Sequence, residues 1–521
     1  MFATDVLIIG TGIAGCSAAL NLARQGLAVT LVTRTRKPEE SNTYYAQGGI
    51  IYRGSNDSPD LLSREIVAAG DALNYQPAVD ILASEGPDLV KSVLLDDLEV
   101  PFDRNEKGEL AVIREGAHSV DRILHAADTT GRVIEISLLN KLASLKNVTL
   151  LTSYTAVDLL TSSHHAVDRR RVYEPSRCLG AFCLDQDNGE IVRCLARRTV
   201  LATGGVGAIF LQTSNPDGAR GDGLAMAYRA GARVVNAEFV QFHPTTFYHK
   251  YFPNFLISEA VRGAGARLVD ANGEPFMQHY APKWLDLAPR DIVSRSIHRE
   301  MLKRGTPHMY LDLTNNIPAG KIRKSFPAIH ERGLAYGVDI TTELVPVVPA
   351  AHYFCGGVWV DTWGRTSLPG LYAVGEVACS GVHGANRIAS SGLLEGLTWG
   401  DRAARAIAKE RSDWETLDFP EIPRWVVSGD ADPDPALLQQ DMTVVKHIMW
   451  NYVGLIRTHR RLERAMNELL NLSLQTERFY RSTRVTDALV GLRNMVRGAI
   501  IITQAATSNR RSVGCHYRED E

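Results

Sequence analysis

Several short polar stretches of this 521-residue sequence carry side chains able to do chemistry. They are Arg114-Glu115-Gly116-Ala117-His118, Gln241-Phe242-His243-Pro244-Thr245, Ser258-Glu259-Ala260-Val261-Arg262-Gly263, Pro289-Arg290-Asp291, His352-Tyr353-Phe354-Cys355-Gly356-Gly357 and His383-Gly384-Ala385-Asn386-Arg387. Taken singly, each has an ordinary structural reading: His243 as a turn residue before proline, Arg290 beside Asp291 as a helix-capping pair, Arg387 as a solvated cation. Together they amount to cations, imidazoles and hydroxyls without matching acids, a set suited to gripping a small dianion. Arginine clasps a carboxylate through two parallel hydrogen bonds, and His and Ser/Thr complete the other oxygens.

Such residues need a scaffold, and the N-terminus reads as a dinucleotide-binding one. Val6-Leu7-Ile8-Ile9 has the pattern of a buried parallel strand, and Gly10-Thr11-Gly12-Ile13-Ala14-Gly15 then opens a helix running through Ala18, Leu22 and Ala23. Gly10 permits the tight turn, Gly12 lets the backbone approach a pyrophosphate, and Gly15 lets helix and strand pack closely. The helix N-terminus offers unpaired N–H groups and a partial positive charge to the phosphates. Gln25-Gly26 ends the helix, and Ala28-Val29-Thr30-Leu31-Val32 is the second strand. The glycine motif alone is weak, but here strand, helix and second strand fall in register. Thr33-Arg34 stands where an acidic residue would hold the ribose of a nicotinamide cofactor, which weakens a plain NAD reading and leaves a flavin dinucleotide open.

Further along, residues 41–50 form a polar, glycine-ended loop, and residues 60–145 read as mainly helical with breaks at 101–103 and 114–119. Residues 149–151 resume a strand pattern. Residues 178–184 and 190–194 flank a hairpin with Asn188-Gly189 at its turn. Residues 198–205 form a second apolar strand ending in Thr203-Gly204-Gly205, followed by Gly221-Asp222-Gly223 and a helix over 224–230. From Phe239 to Pro349 the texture turns to loops rich in His, Pro and Arg, read as an inserted domain. Gly357 to Asp361 returns to the first domain, and a strand ending in Gly375-Glu376 can bring a carboxylate to the cofactor's hydroxyls. The prolines of residues 420–435 mark a linker, and residues 437–472 and 476–507 have helical periodicity.

The expected fold is α/β and α+β multidomain. A Rossmann-like domain occupies residues 1–238 and 351–418, an inserted capping domain 239–350, a linker 419–435 and a helical domain 436–521. Composition is that of a soluble globular protein, with 45% hydrophobic and 22% charged residues. The net charge of −2 gives no case for nucleic acid or an anionic membrane. Absence of an eighteen-residue apolar run argues against a membrane span, and the N-terminus has no basic leader. Seven cysteines without a C-x-x-C fit a reducing cytoplasm and argue against zinc or iron–sulfur ligation, so no metal is expected.

With these residues quoted, the sequence resembles the succinate dehydrogenase/fumarate reductase flavoproteins, and within them the branch that oxidises L-aspartate. The resemblance runs from Gly10-x-Gly12-x-x-Gly15 through Ala46-Gln47-Gly48-Gly49 and Gln241-Phe242-His243-Pro244-Thr245 to Gly514-Cys515-His516-Tyr517-Arg518. It implies that His243, Ser258, His352 and Arg387 bind the substrate carboxylates, with Gln241 beside them, and that Arg290 transfers the proton with His243 and His352 at the catalytic centre. The implied fold is an FAD domain in two segments, a cap and a C-terminal three-helix domain. The expected FAD site comprises Gly10, Gly12, Ala14, Gly15, Thr33, Arg34, Ser41, Asn42, Thr43, Ala46, Gln47, Gly48, Gly49, Ala202, Thr203, Gly204, Asp222, Glu376, Arg387, Ser390, Ser391, Leu393 and Leu394.

Two positions separate the branches. A histidine that bonds covalently to flavin in the membrane-complex enzymes is here Asn42, which implies noncovalent FAD. Glu115 would be an unpaired charge facing succinate or fumarate, but can pair with the ammonium of aspartate. The sequence departs from the usual pattern at Ala117 (for glycine), at Ser258 (for threonine), at Ser391-Gly392 (for Asn-Ser), and at Arg511 and Val513 (for Glu and Arg). The resemblance implies oxidation of L-aspartate to iminoaspartate with oxygen or fumarate as acceptor, the first step of de novo NAD synthesis, with quinolinate synthase downstream. The alternative is a soluble fumarate reductase, or a flavoprotein subunit serving an iron–sulfur partner. Glu115 and Asn42 argue against that alternative. No oligomeric state is implied.

Overall fold

The computed structural model describes residues 1–414, 419–426, 429 and 431–520. Its central sheet has the order Val148–Leu151, Val29–Val32, Phe2–Ile9, Glu190–Leu201, Cys178–Asp185, Tyr154–Thr161, with Leu371–Ala373 also paired to Glu190–Leu201. Phe2–Ile9 is parallel to both its neighbours. Val6, Leu7 and Ile8 are fully buried, because the helix Ile13–Arg24 covers one face and parallel sheets need cover on both. The expected strand–glycine turn–helix–strand order is therefore present.

Two expected strands prove to be one. The second arm of the hairpin and the apolar run ending at Thr203 join in the single twelve-residue strand Glu190–Leu201. No turn residue separates Cys194 from Arg198, and Leu195 and Ala196 are buried across the junction. One edge of this strand follows Phe2–Ile9, while the other is shared between Cys178–Asp185 and Leu371–Ala373.

The stretch 60–145 is helical at Pro59–Ala69, Gln76–Leu89 and Thr130–Ala143, with a π-helical continuation Val90–Asp97. Residues 98–129 are not helical. They carry Val112–Ile113 and Ile123–Leu124, which pair with each other, and Ile123–Leu124 also pairs with Ile50–Ile51. Pro101, and Gly108 at φ +80°, are incompatible with a continuous helix there.

The inserted region is more regular than its sequence texture suggests. Its five-stranded sheet runs Phe255–Leu256, Val240–Phe247, Val345–Phe354, Met309–Asp312, Arg267–Val269. The strand Val345–Phe354 passes straight through the expected boundary at 350/351. Helix Arg290–Arg304 packs on Val240–Phe247, with Ser294 Oγ donating to Phe242 O at 3.3 Å. Only a thin stripe of that helix is apolar and buried (Val293, Ile297, Met301), so its periodicity is faint in sequence.

The C-terminal helices are Pro435–Tyr452, His459–Ser482 and Asp487–Ser508. The breaks fall before His459 and Asp487 rather than near residue 474, because Thr458 and Thr486 cap the next helices, accepting from Arg461 N and Leu489 N. Pro435 is already the first helical residue. The expected linker is described at residues 419–426, 429 and 431–434, whereas Val427, Ser428 and Asp430, and residues 415–418 of the expected FAD domain, lie outside the described residues. Among the described residues no helix is long and apolar enough to cross a membrane.

Candidate active site

A cleft of about 630 Å³ lies where the sheet's glycine turn, the cap and the start of helix Ser391–Lys409 meet, within the range of roughly 300–1,000 Å³ common for small-molecule sites. Gly10 has φ +112°, and a Cβ there would lie 2.1 Å from the carbonyl oxygen of Ala202, so no other residue fits the turn. Gly12 is the N-cap of Ile13–Arg24, and the Ile13 N–H is taken by Thr43 Oγ1 at 3.0 Å.

Of the expected FAD residues, Gly10, Gly12, Ala14, Thr33, Arg34, Ser41, Asn42, Thr43 and Ala46 to Gly49 line the cleft, as do Ala202, Thr203, Gly204, Asp222, Glu376, Arg387, Ser390 and Leu393. Gly15, Ser391 and Leu394 do not. Gly15 packs against the Gly10 carbonyl, Ser391 Oγ donates to Ile388 O at 2.9 Å, and Leu394 is in the core. Gln47 Oε1 and Thr203 Oγ1, both in lining residues, are buried without a hydrogen-bond partner, as expected of a wall made for a polar ligand. The residues present therefore fit a flavin dinucleotide.

The cationic side chains at the nucleotide end are held from the C-terminal domain. Asp487, first residue of the last helix, accepts from Arg220 Nη2 at 3.1 Å, Thr155 Oγ1 at 2.7 Å and Arg34 Nη1 at 3.4 Å. Arg220 also pairs with Asp222 at 2.9 Å. Glu376 accepts from Asn42 Nδ2 at 2.7 Å and Phe354 N at 2.9 Å, and burial pushes its carboxyl up to about 7.

At the other end the expected dianion grip comes together. Arg290, Arg387, His243, His352, Ser258 and Glu115 all line the cleft. The two imidazole rings are 5.4 Å apart. Burial, with Arg290 beside it, holds His243 well below the usual histidine range; burial and the charge of Arg387 do the same for His352. Both are neutral at pH 7. Their Nδ1 atoms are engaged, His243 with the Thr245 backbone at 3.1 and 3.2 Å and His352 with Ser214 Oγ at 2.8 Å. That leaves each Nε2 for a ligand.

Arg387 is buried, its Cζ lies 4.5 Å from the Tyr353 ring centroid, and its Nε has no partner. Burial and the like charge of Arg290 lower its proton affinity. A buried guanidinium with an unmet donor, beside a second, half-buried one of like charge, suits a carboxylate anion. Ser258 Oγ accepts from Ala260 N at 3.3 Å, and its proton remains to donate.

Gln241 does not line the cleft. Its amide donates to Asn386 Oδ1 at 2.6 Å and Arg387 O at 2.8 Å, which makes it a support for the arginine's backbone. Three functional side chains were given no role from sequence: Glu259, Arg262 and Tyr353. Arg290 Nε donates to Glu259 Oε2 at 2.6 Å, and Arg262 Nη2 lies 3.9 Å from the same oxygen. Burial opposes the charge on Glu259, yet the two arginines hold its pKa below the usual value. The Glu259-x-x-Arg262 spacing, one helical turn, was the available signal. Among the described residues no group of His, Cys, Asp or Glu is placed to hold a metal.

A glycine turn on a parallel sheet, a cleft that fits a dinucleotide and a cationic pocket at its end define an FAD-binding flavoprotein. The family described as FAD binding domain matches residues 5–393, and Fumarate reductase flavoprotein C-term matches 442–521. L-aspartate oxidase 1 of Ralstonia nicotianae is 42% identical over 520 residues, spanning 99% of this chain and 95% of its own. L-aspartate oxidase of Halobacterium salinarum is 42% identical over 526 residues, spanning 99% and 97%. Among solved structures, E. coli quinol fumarate reductase FrdA superposes with a TM-score of 0.88 at 27% identity, covering 100% of this chain and 92% of that one. Mycobacterium smegmatis Sdh1 gives 0.85 at 29% identity, covering 99% and 89%. The chain belongs to the L-aspartate oxidase family, within the succinate dehydrogenase/fumarate reductase flavoproteins.

Proposed function

We propose that this chain oxidises L-aspartate to iminoaspartate with FAD, the first step of de novo NAD synthesis. The observation that carries the reading is Glu115, a carboxylate in the wall of a pocket of arginines, neutral imidazoles and a hydroxyl whose other acid, Glu259, is already paired with Arg290. A plain dicarboxylate has no group to meet it, and aspartate brings one ammonium.

Arg387, His352, His243 and Ser258 bind the two substrate carboxylates, and Glu115 pairs with the amine. Neutral imidazoles hydrogen-bond the carboxylates without adding charge, so net attraction comes from the arginines. FAD, when bound, supplies the two-electron oxidant. Arg290 handles the proton. A guanidinium effectively never deprotonates alone in water, and Glu259 at 2.6 Å orients it and holds it charged. The same pair suits protonation of fumarate, which is why fumarate serves as an alternative acceptor to oxygen. Cytoplasmic residence is supported by seven free, buried thiols, and quinolinate synthase is the proposed consumer of the product.

The test is purified protein with FAD, L-aspartate and oxygen, following peroxide and oxaloacetate, with succinate as the control. Turnover of aspartate and not of succinate supports the reading. Faster oxidation of succinate overturns it in favour of a succinate dehydrogenase-type subunit.

A further inference from the structure

Glu115 is carried by an irregular turn between Ile113 and His118, not by a helix or strand. The next residue but one, Ala117, has φ +68°, a left-handed backbone that an alanine adopts only where its surroundings hold it. A carboxylate on such a turn has no fixed position unless other groups supply one. The groups that do so come from the segment Ala389-Ser390. His118 Nε2 donates to Ala389 O at 3.0 Å, and Ser390 Oγ donates to Glu115 Oε2 at 2.5 Å. Ser390 is itself at φ +57°, immediately before the helix Ser391–Lys409.

The direction of these bonds is set by chemistry. A hydroxyl has one proton, and an ionised carboxylate only accepts. The proton of Ser390 therefore points to Glu115, and its lone pair accepts from Gly49 N at 3.2 Å. The result is a directed chain, Gly49 N–H to Ser390 O–H to Glu115, in which each bond strengthens the next. The other oxygen, Oε1, lies against the bare Cα of Gly48, where a Cβ would come within 3.0 Å of it. Oε2 is thus committed to Ser390, and Oε1 remains for a cation in the cleft.

We propose that Ser390 is the positioning residue for Glu115: its hydroxyl sets the carboxylate that reads the substrate ammonium and ties it to the cofactor loop at Gly49. This rests on the L-aspartate reading above. It gives Ser390 a role toward the amine of the substrate, beyond a place in the cofactor wall.

The test uses the full-length FAD-loaded protein and the variants Ser390→Ala and Ser390→Gly, alone and with Glu115→Gln. The ratio of kcat/KM for aspartate to that for fumarate is expected to fall about tenfold or more in both single variants, the scale of a lost charge-assisted hydrogen bond. Each variant is compared at full FAD occupancy, checked by flavin absorbance. In the Glu115→Gln background, removing the Ser390 hydroxyl is expected to change the ratio little. Parent-like behaviour of Ser390→Gly, whose backbone suits φ +57°, would show that Ser390→Ala had failed through strain and overturn the proposal. So would parallel losses on aspartate and fumarate at full FAD occupancy, or additive losses with Glu115→Gln. A parent enzyme inactive on aspartate overturns the functional reading itself, and this proposal with it, before any variant is compared.

Discussion

Asn42 and Glu376, 334 positions apart, are joined across the cofactor cleft by a hydrogen bond of 2.7 Å from Nδ2 to Oε2. The resemblance puts this amide where the covalent enzymes have their flavin-bonding histidine, and the structure engages it with a carboxylate. FAD is therefore expected to leave quantitatively on acid or heat denaturation. Yellow, fluorescent protein on a denaturing gel would contradict this. Added FAD should also raise the melting temperature by mass action.

Glu376 predicts a pH dependence. Burial lifts its pKa from 4.5 to about 7, so the folded chain holds this proton more tightly than the unfolded chain. The resulting stabilisation is fully present below about 4.5 and is lost as pH rises through about 7. Urea unfolding of the FAD-free protein across that window should lose more stability in the parent than in Glu376→Gln. Identical slopes would mean that Glu376 titrates normally.

Arg290 is fixed by Glu259 at 2.6 Å and faces the cleft. Arg290→Leu is expected to lower kcat for fumarate reduction by at least about a hundredfold, the low end of general acid catalysis. Retained FAD absorbance checks that the fold is intact. Near-parent fumarate turnover would remove Arg290 from the proton path.

On the proposed reading, Glu115 decides between substrates. In Glu115→Gln the carboxylate that attracts the ammonium and repels a plain dicarboxylate is gone. The aspartate-to-fumarate ratio of kcat/KM should fall about 100-fold or more, equivalent to roughly 2.7 kcal/mol. Equal losses on both substrates would indicate a structural role only.

Much of the nucleotide scaffold was legible because its signals are local: four branched residues, three glycines at fixed spacing and a second strand in register. The grip residues were legible as types, and the fold brings Arg290, Arg387, His243, His352, Ser258 and Glu115 to one cleft. What sequence could not give was direction. Gln241 sits in a motif with His243, and plain alternation would put both on one face, but the strand Val240–Phe247 is irregular between Gln241 and Phe242, and the amide's bonds to Asn386 and Arg387 hold it away from the cleft. Ser391 and Leu394 are turned away by the helix they begin. Glu259 and Arg262 were quoted within a motif but given no role, because their third partner, Arg290, arrives from a segment about thirty residues on. Helix Arg290–Arg304 went unread because it buries so narrow a stripe.

The contact of Asp487 with Arg220 and Arg34 has a consequence for the order in which the protein is made. Chains emerge N-terminus first, and domains tend to fold as they appear. The glycine turn and its strand are complete once Glu190–Leu201 and Ala202 are made, but Arg34 and Arg220 have no Asp487 until the last helix has left the ribosome and docked. A nascent chain that has not yet reached Asp487 leaves Arg34 without that carboxylate and Arg220 with Asp222 alone. Fixing these side chains is thus a late event, and a chain cut short before Asp487 should hold FAD less tightly than the full one, through lost positioning rather than through charge.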